Sequence, residues 1–348
     1  MIKRLLLAAL FLAALCLAFV LLESGAARAQ SAPPPAKLIP VKIAVLNAGF
    51  VYFTPYVAVD QGFFKKHGLD AELVSFRSGG DATTAVISGS TEFGALATEH
   101  VVQVRTKGLR LKAIVANLLN SPYALIVRNE VPLPSAAQGF PAVVRDLKGL
   151  KCGVTGLGAS TDFTLRFALQ QAGLDPAKDV SIVAVGGVAT ALAALEKGEI
   201  QAFIGFQPIQ GQAVHGLKIA KVVVDFSKGE GPALFRNYAF NSMVASEAYL
   251  DAHPDVARLM VEAIVDTEHF IQDPANRGAL MATAAKYFKG FDPALLRQIL
   301  DETVPGYKPV LTREAVANVN QLLLFAKLIE KPIPFESVVD TRFAPTKF

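Results

Sequence analysis

The sequence predicts an α/β protein of two lobes, each built on a mostly parallel sheet. Short Val/Ile-rich runs alternate with helical runs from Val41 onward. One pattern of turn, strand, glycine turn, helix and strand occurs twice. At 348 residues the chain is long enough for two domains of ordinary size, each with its own core.

Val41–Leu46, bounded by Asn47 and Gly49, reads as the first strand. Pro55–Lys66 reads as a helix, with proline in its first turn and Gly68 as its stop. Ala71–Phe76 is a second strand. Asp81 opens and caps a helix that Gly89 ends. Phe93–Leu96 is a buried strand, Thr98 caps the helix that Gly108 closes, and Leu111–Ala116 is another strand. Lys151–Thr155 begins the second series. The repeat lies between Gly68-Leu69-Asp70 and Gly94, and again between Gly173-Leu174-Asp175 and Gly205. Gly79-Gly80 and Gly89 of the first copy correspond to Gly186-Gly187 and Gly198 of the second. Val131–Ala142, with three prolines and Gly139, marks the crossing between lobes or a loop beside it. After Tyr238–Val244 the periodicity is helical, with starts at Asp292-Pro293 and Thr312.

Lys3 and Arg4, the apolar run Leu5–Leu22 and the small-residue site Ala27-Arg28-Ala29 have the form of a secretion signal. Cleavage near Gln30 is expected, with an uncleaved anchor as the alternative, since eighteen apolar residues just span a bilayer. A lipoprotein signal is rejected because Leu15 precedes Cys16. Residues 30–40, proline-rich, form a tether. The formal charge is +4, of which residues 1–29 carry +2, so there is no basic footprint for nucleic acid. Once Cys16 is removed Cys152 is the single thiol, which excludes an internal disulfide and a cysteine metal site. No apolar run after Leu22 is long enough to cross a membrane. The five histidines form no H-x-x-x-H pair, and no G-x-S-x-G elbow is present, so no enzyme constellation emerges.

Ligands of open α/β sheets bind beyond the carboxyl ends of the strands. The loop Asn47–Thr54 brings Phe50 and Tyr52 there as an apolar or stacking wall, or as core and hinge prop. Ser78-Gly79-Gly80 exposes backbone N–H groups at a helix start. Thr98 and Glu99 stand at another helix start, where Glu99 serves either an amine or the helix dipole. Gly156–Asp162 holds Gly158, Ser160 and Thr161, a cradle for a small oxyanion or a plain helix cap. Gly186 and the pair Phe206-Gln207 complete the set.

Pro55–Phe64 with Gly68-Leu69-Asp70, Ser78-Gly79-Gly80, Gly89–Gly94, Leu147–Lys151, Gly156–Thr161 and His253–Val256 resemble the NMT1/THI5-like, SsuA/TauA-type binding proteins of ABC importers. The resemblance covers roughly residues 41–330. It implies a type II periplasmic-binding-protein fold, two lobes joined by a hinge, with 41–126 and 238–330 as lobe one, 127–237 as lobe two and 331–348 as a C-terminal tail. It also implies a periplasmic, non-enzymatic monomer that needs no cofactor or metal. Such a protein passes a small molecule to a permease and its ATPase, without lasting membrane insertion. Many relatives carry an acid where Gln207 stands, and this chain has no Trp. Both departures favour an organic anion with an apolar tail, sulfonate or carboxylate. The alternatives are a thiamine-precursor pyrimidine, a fold-related enzyme or a ligand sensor.

Overall fold

The computed structural model describes residues 37–46 and 49–348. The expected signal, most of the tether and Asn47 lie outside the described residues.

Ten strands are seen among them: β1 (Ile39–Leu46), β2 (Leu69–Phe76), β3 (Phe93–Ala97), β4 (Leu111–Leu119), β5 (Ala124–Arg128), β6 (Lys151–Val154), β7 (Ser181–Ala184), β8 (Ala202–Gly205), β9 (Ala220–Asp225) and β10 (Ala239–Ser246). They form two five-stranded sheets, ordered β2-β1-β3-β10-β4 and β7-β6-β8-β5-β9. In each sheet β1, β2 and β3, or β6, β7 and β8, pair in parallel. A single antiparallel strand separates the last two members: β10 between β3 and β4, and β5 between β8 and β9. The two orders are identical once β1–β4 is laid on β6–β9, so the repeat seen in the sequence is one unit used in both sheets. In each, the antiparallel strand is the one that has just arrived from the other sheet.

Burial explains the composition of the strands. β8 is buried at every position and reads as a continuous apolar run, and β4 is buried at all but one position and is apolar apart from Lys112 and Asn117, because helices cover both faces. β2 and β7 are edge strands and keep polar, exposed positions. The helix Pro254–Gln272 buries Val256, Ala257, Met260, Val261 and Ile264, the stripe of a one-faced helix. Asp292 caps the helix Pro293–Thr303 by accepting from the backbone N–H groups of Ala294 and Leu295, as the sequence indicates.

Several expectations shift. Pro55–Lys66 is two helices, Phe53–Asp60 and Phe63–Lys66, because Gly62 between them takes φ +75°. Ser78, not Asp81, caps the helix Gly79–Ser88; its hydroxyl accepts from the Asp81 N–H. Thr98 is the first residue of its helix rather than the cap, and its hydroxyl is spent on Ser242 at 2.8 Å. The chain changes sheets at residues 120–123, ahead of Val131–Ala142, and β5 already belongs to the second sheet. Pro122 supplies the break, since proline cannot donate to a ladder. The C-terminal segment, expected as a tail at 331–348, packs on the first sheet. Val339 bridges in parallel to Ala113 on β4, the Asp340 N–H donates to the Ala113 carbonyl at 2.9 Å, and Val338 and Phe343 are buried.

Candidate functional site

The loops that follow the parallel strands of one sheet touch those of the other. Phe50, after β1, donates its N–H to the carbonyl of Gln207, after β8, at 3.3 Å. Ser160, after β6, donates its hydroxyl to Glu99, after β3. The site is therefore a cleft between two sheets, closed by these contacts.

Glu99 is its centre. Only 2% of the residue is exposed. One carboxylate oxygen accepts from Ser160 and the other from the Tyr238 hydroxyl at 2.7 Å. Burial raises the Glu99 pKa, and the two hydroxyl donors oppose the rise without cancelling it. Tyr123 lies beside this pair, and its phenol is pushed up by burial and by the Glu99 charge. Its ring meets Phe206 at 6.2 Å and Phe240 at 5.5 Å, both edge to face. Tyr52 is buried next to them, with its phenol also held up by burial. Glu99, Ser160, Tyr52 and Phe206 were legible in the sequence. Tyr123 and Tyr238 were not, because they sit on the short segments between the sheets rather than in the strand-end loops where the ligand was sought.

The loop Gly156–Asp162 is already satisfied from within. The Gly158 N–H donates to the Asp162 carboxylate at 2.9 Å, and Arg166 holds the other oxygen of that carboxylate at 2.7 Å. The Thr161 hydroxyl accepts from the Thr155 N–H at 3.1 Å and pairs with the Thr155 hydroxyl at 2.8 Å. An acid thus occupies the Gly158 N–H, one of the donors that an oxyanion would take.

A second cluster surrounds Gln207 and Phe50. Gln207 is buried, donates to Glu302 at 2.8 Å and accepts from the Gly211 N–H at 2.9 Å. The Phe50 ring stacks on Phe288 at 4.1 Å, and the Tyr307 hydroxyl donates to the Phe50 carbonyl at 2.6 Å. A cavity of about 50 Å³ opens here, lined from both sheets and from the crossing residues Asn120 and Ser121. Glu302 is a member that sequence reading missed, since it arrives on a helix far along the chain.

Other expected residues stand apart from these clusters. Gly186 takes φ +79° and faces Thr190 within its own turn. Ser78 is exposed and serves as a cap. Gly79 is pressed against the imidazole of His100, whose pKa burial lowers, so the ring is neutral at pH 7. A Cβ on Gly79 would lie under 3.0 Å from that ring. Gly79→Ala is therefore expected to force the ring aside and destabilise the protein by about 1–3 kcal/mol. Urea unfolding reads this directly, and an unchanged midpoint would show that His100 yields freely. Among the described residues no group of three or more His, Cys, Asp or Glu could hold a metal ion.

Residues 39–285 match the NMT1-like family. A Bacillus subtilis (strain 168) protein titled "Putative binding protein YtlA" is 22% identical over 316 residues, covering 88% of this chain and 89% of that one. A solved structure from Bordetella bronchiseptica RB50 is 27% identical with a TM-score of 0.68, covering 89% of this chain and 95% of that one. The periplasmic aliphatic sulphonate binding protein SsuA from Escherichia coli has a TM-score of 0.70 at 17% identity, covering 88% and 99%. This last likeness shows a shared periplasmic-binding-protein fold.

Proposed function

Because the chain belongs to the NMT1-like family, we propose that it is an exported solute-binding protein that captures a small organic molecule between its sheets and delivers it to a membrane importer. The observation that carries this reading is the buried Glu99 carboxyl meeting Ser160 across the cleft. A polar contact made between two sheets at the carboxyl ends of their strands is where such folds hold ligands. It is also a contact that can exchange for ligand as the sheets part and close. The printed titles of YtlA and SsuA support the class, and the N-terminal pattern supports export. Delivery to a permease with its ATPase, by a monomer in the periplasm, follows from this class. Binding without catalysis is further supported by Cys152, a buried thiol whose pKa is raised to about 12, far from a nucleophile at pH 7.

The cleft also bears on ligand sign. An organic anion would meet an acid at Glu99, the Gly158 N–H is committed to Asp162, and the Thr161 hydroxyl is paired with Thr155. Ionised Glu99 repels such a ligand, and only the protonated acid receives it. A solute that offers N–H or O–H groups is received by either form. We therefore favour a neutral or donor-bearing solute over a sulfonate or carboxylate.

Thermal unfolding of residues 31–348 against alkanesulfonates, carboxylates, amides and pyrimidines, at pH 5.5 and pH 8, tests both statements. A ligand at a hundred times its dissociation constant adds about 2.7 kcal/mol. The expected result is a rise with a donor-bearing compound at both pH values. A rise with anions alone, stronger at pH 5.5, would restore the anion as ligand. No rise with any compound would overturn solute binding. Ser160→Ala should weaken binding severalfold while leaving Tyr238 to hold Glu99.

A further inference from the structure

We infer that the cavity at the chain's first crossing receives the amide-type end of the solute: a primary carboxamide, lactam or ureide, with an N–H and a C=O on adjacent atoms. This rests on the solute-binding reading above and names the group that the same cleft recognises.

The lining is polar in a particular way. Ser121 is 1% exposed and its hydroxyl has no hydrogen-bond partner among the described residues. Gln210 is 5% exposed; its backbone N–H is paired to Phe206, and among the described residues no partner is seen for its side-chain amide. Asn120 lines the same space at φ +70°, a conformation that few residues other than glycine adopt. Glu302 is the single ionisable carboxylate in the lining; Gln207 donates to one of its oxygens at 2.8 Å, and the other has a long 3.4 Å contact from Gln298 and faces the His215 imidazole at 3.7 Å. Burying a polar group unpaired costs stability, so the Ser121 hydroxyl, set among further polar groups around a cavity, calls for an occupant.

The chemistry selects among occupants. No basic group lines the cavity, which leaves nothing to hold an anion. One carboxylate, already half used by Gln207, does not match a full cation. Side-chain amides and a hydroxyl both donate and accept, and the Glu302 oxygen that Gln207 does not hold, with only long contacts, still accepts. A ligand N–H donating to Glu302 or to the Gln210 oxygen, with its C=O accepting from the Gln210 nitrogen or from Ser121, satisfies these groups together. One water needs about 10–15 Å³ by this measure, so about 50 Å³ admits a few waters or one planar head group. The rest of the solute then extends towards Tyr123 and Glu99.

Calorimetric titration of residues 31–348 with nicotinamide, 2-pyrrolidinone and hydantoin tests this. Ethanesulfonate and benzoate serve as anions, and 1-methyl-2-pyrrolidinone as the lactam without its N–H. We expect at least one amide compound to bind, N-methylation to weaken lactam binding tenfold or more, and Gln210→Leu and Ser121→Ala each to weaken it about tenfold. Ser121→Ala removes an unpartnered hydroxyl and keeps the test valid should Gln210→Leu unfold the protein. Amide binding that both variants leave unchanged would place the group elsewhere. Binding of anions alone would overturn the amide assignment while leaving solute capture intact. No binding by any compound would overturn both and leave the cavity to ordered water.

Discussion

Gly49→Ala is expected to leave the fold intact and to weaken solute binding about thirtyfold. Gly49 sits in the first-sheet loop at φ +81°. A Cβ there would lie under 3.0 Å from the backbone carbonyl of Gln207 and at 3.0 Å from Pro208 Cδ, both on the second-sheet loop. A backbone carbonyl cannot swing away as a side-chain tip can. The new methyl therefore acts as a stop against closure. Two costs separate cleanly. Backbone strain at positive φ, about 1 kcal/mol, is shared by open and closed forms and lowers the melting temperature. The clash exists only when the sheets meet, and about 2 kcal/mol of it reduces the closed fraction, hence apparent affinity, some thirtyfold. Thermal unfolding reads the first and titration with the best ligand of the panel reads the second. Unchanged affinity with a lowered melting temperature would mean that capture does not require these two loops to touch.

Glu268→Gln is expected to be more stable than the wild type at pH 8 and close to it below pH 4.5. Glu268 is fully buried, accepts from the Thr54 hydroxyl at 2.7 Å, and has a second oxygen with no partner. Burial raises its pKa well above the ordinary 4.5, and the Thr54 bond only partly offsets this. The folded form therefore binds the proton more tightly than the unfolded form. Its contribution is full below the unfolded pKa and is lost as pH rises through the folded pKa, at up to about 1.4 kcal/mol per pH unit. Gln keeps the Thr54 bond and has no charge to bury. Urea midpoints of both proteins at pH 4 and pH 8 give the difference directly, so other titrating groups cancel. A gap that stays constant with pH would mean that Glu268 is ionised in the fold and held by something other than Thr54.

The fold was largely legible because its signals are local. Helix starts such as Asp292-Pro293 and glycine stops such as Gly89 act through their own backbone, and the two copies of the β-α-β unit repeat them in order. What escaped were the antiparallel strands' consequences. β5 is a short apolar run, and nothing in it says which sheet takes it. Val131–Ala142 was read from its prolines as the crossing or a loop beside it, with the lobes divided at 126/127, whereas the chain turns at residues 120–123, where Asn120 takes φ +70° and Pro122 follows. Tyr123 and Ser121 sit in that short turn, which carries no composition signal of its own. Within the site, residue type was a fair guide to place but not to partner. Glu99 and Ser160 were each marked at helix starts, but their pairing depends on two loops brought together from opposite sheets. Gly158 and Thr161 were read as part of an oxyanion cradle or a plain helix cap; Asp162 takes the Gly158 N–H, and the Thr161 hydroxyl pairs with Thr155, both partners close in sequence.

The antiparallel strands carry one more consequence, for the way the molecule comes to exist. β4 reaches its own sheet only through β10, since the order runs β3-β10-β4. Until Ala239–Ser246 has been made, β4 has no neighbour, and the first half presents a gap rather than a finished sheet. β10 in turn cannot arrive before the whole second sheet has been spelled out. A growing chain is thus denied early completion, because its first half stays unlatched until its second half exists. Under the proposed export through a membrane pore, such late locking would be an asset: the topology itself would postpone the moment at which the chain becomes too rigid to travel.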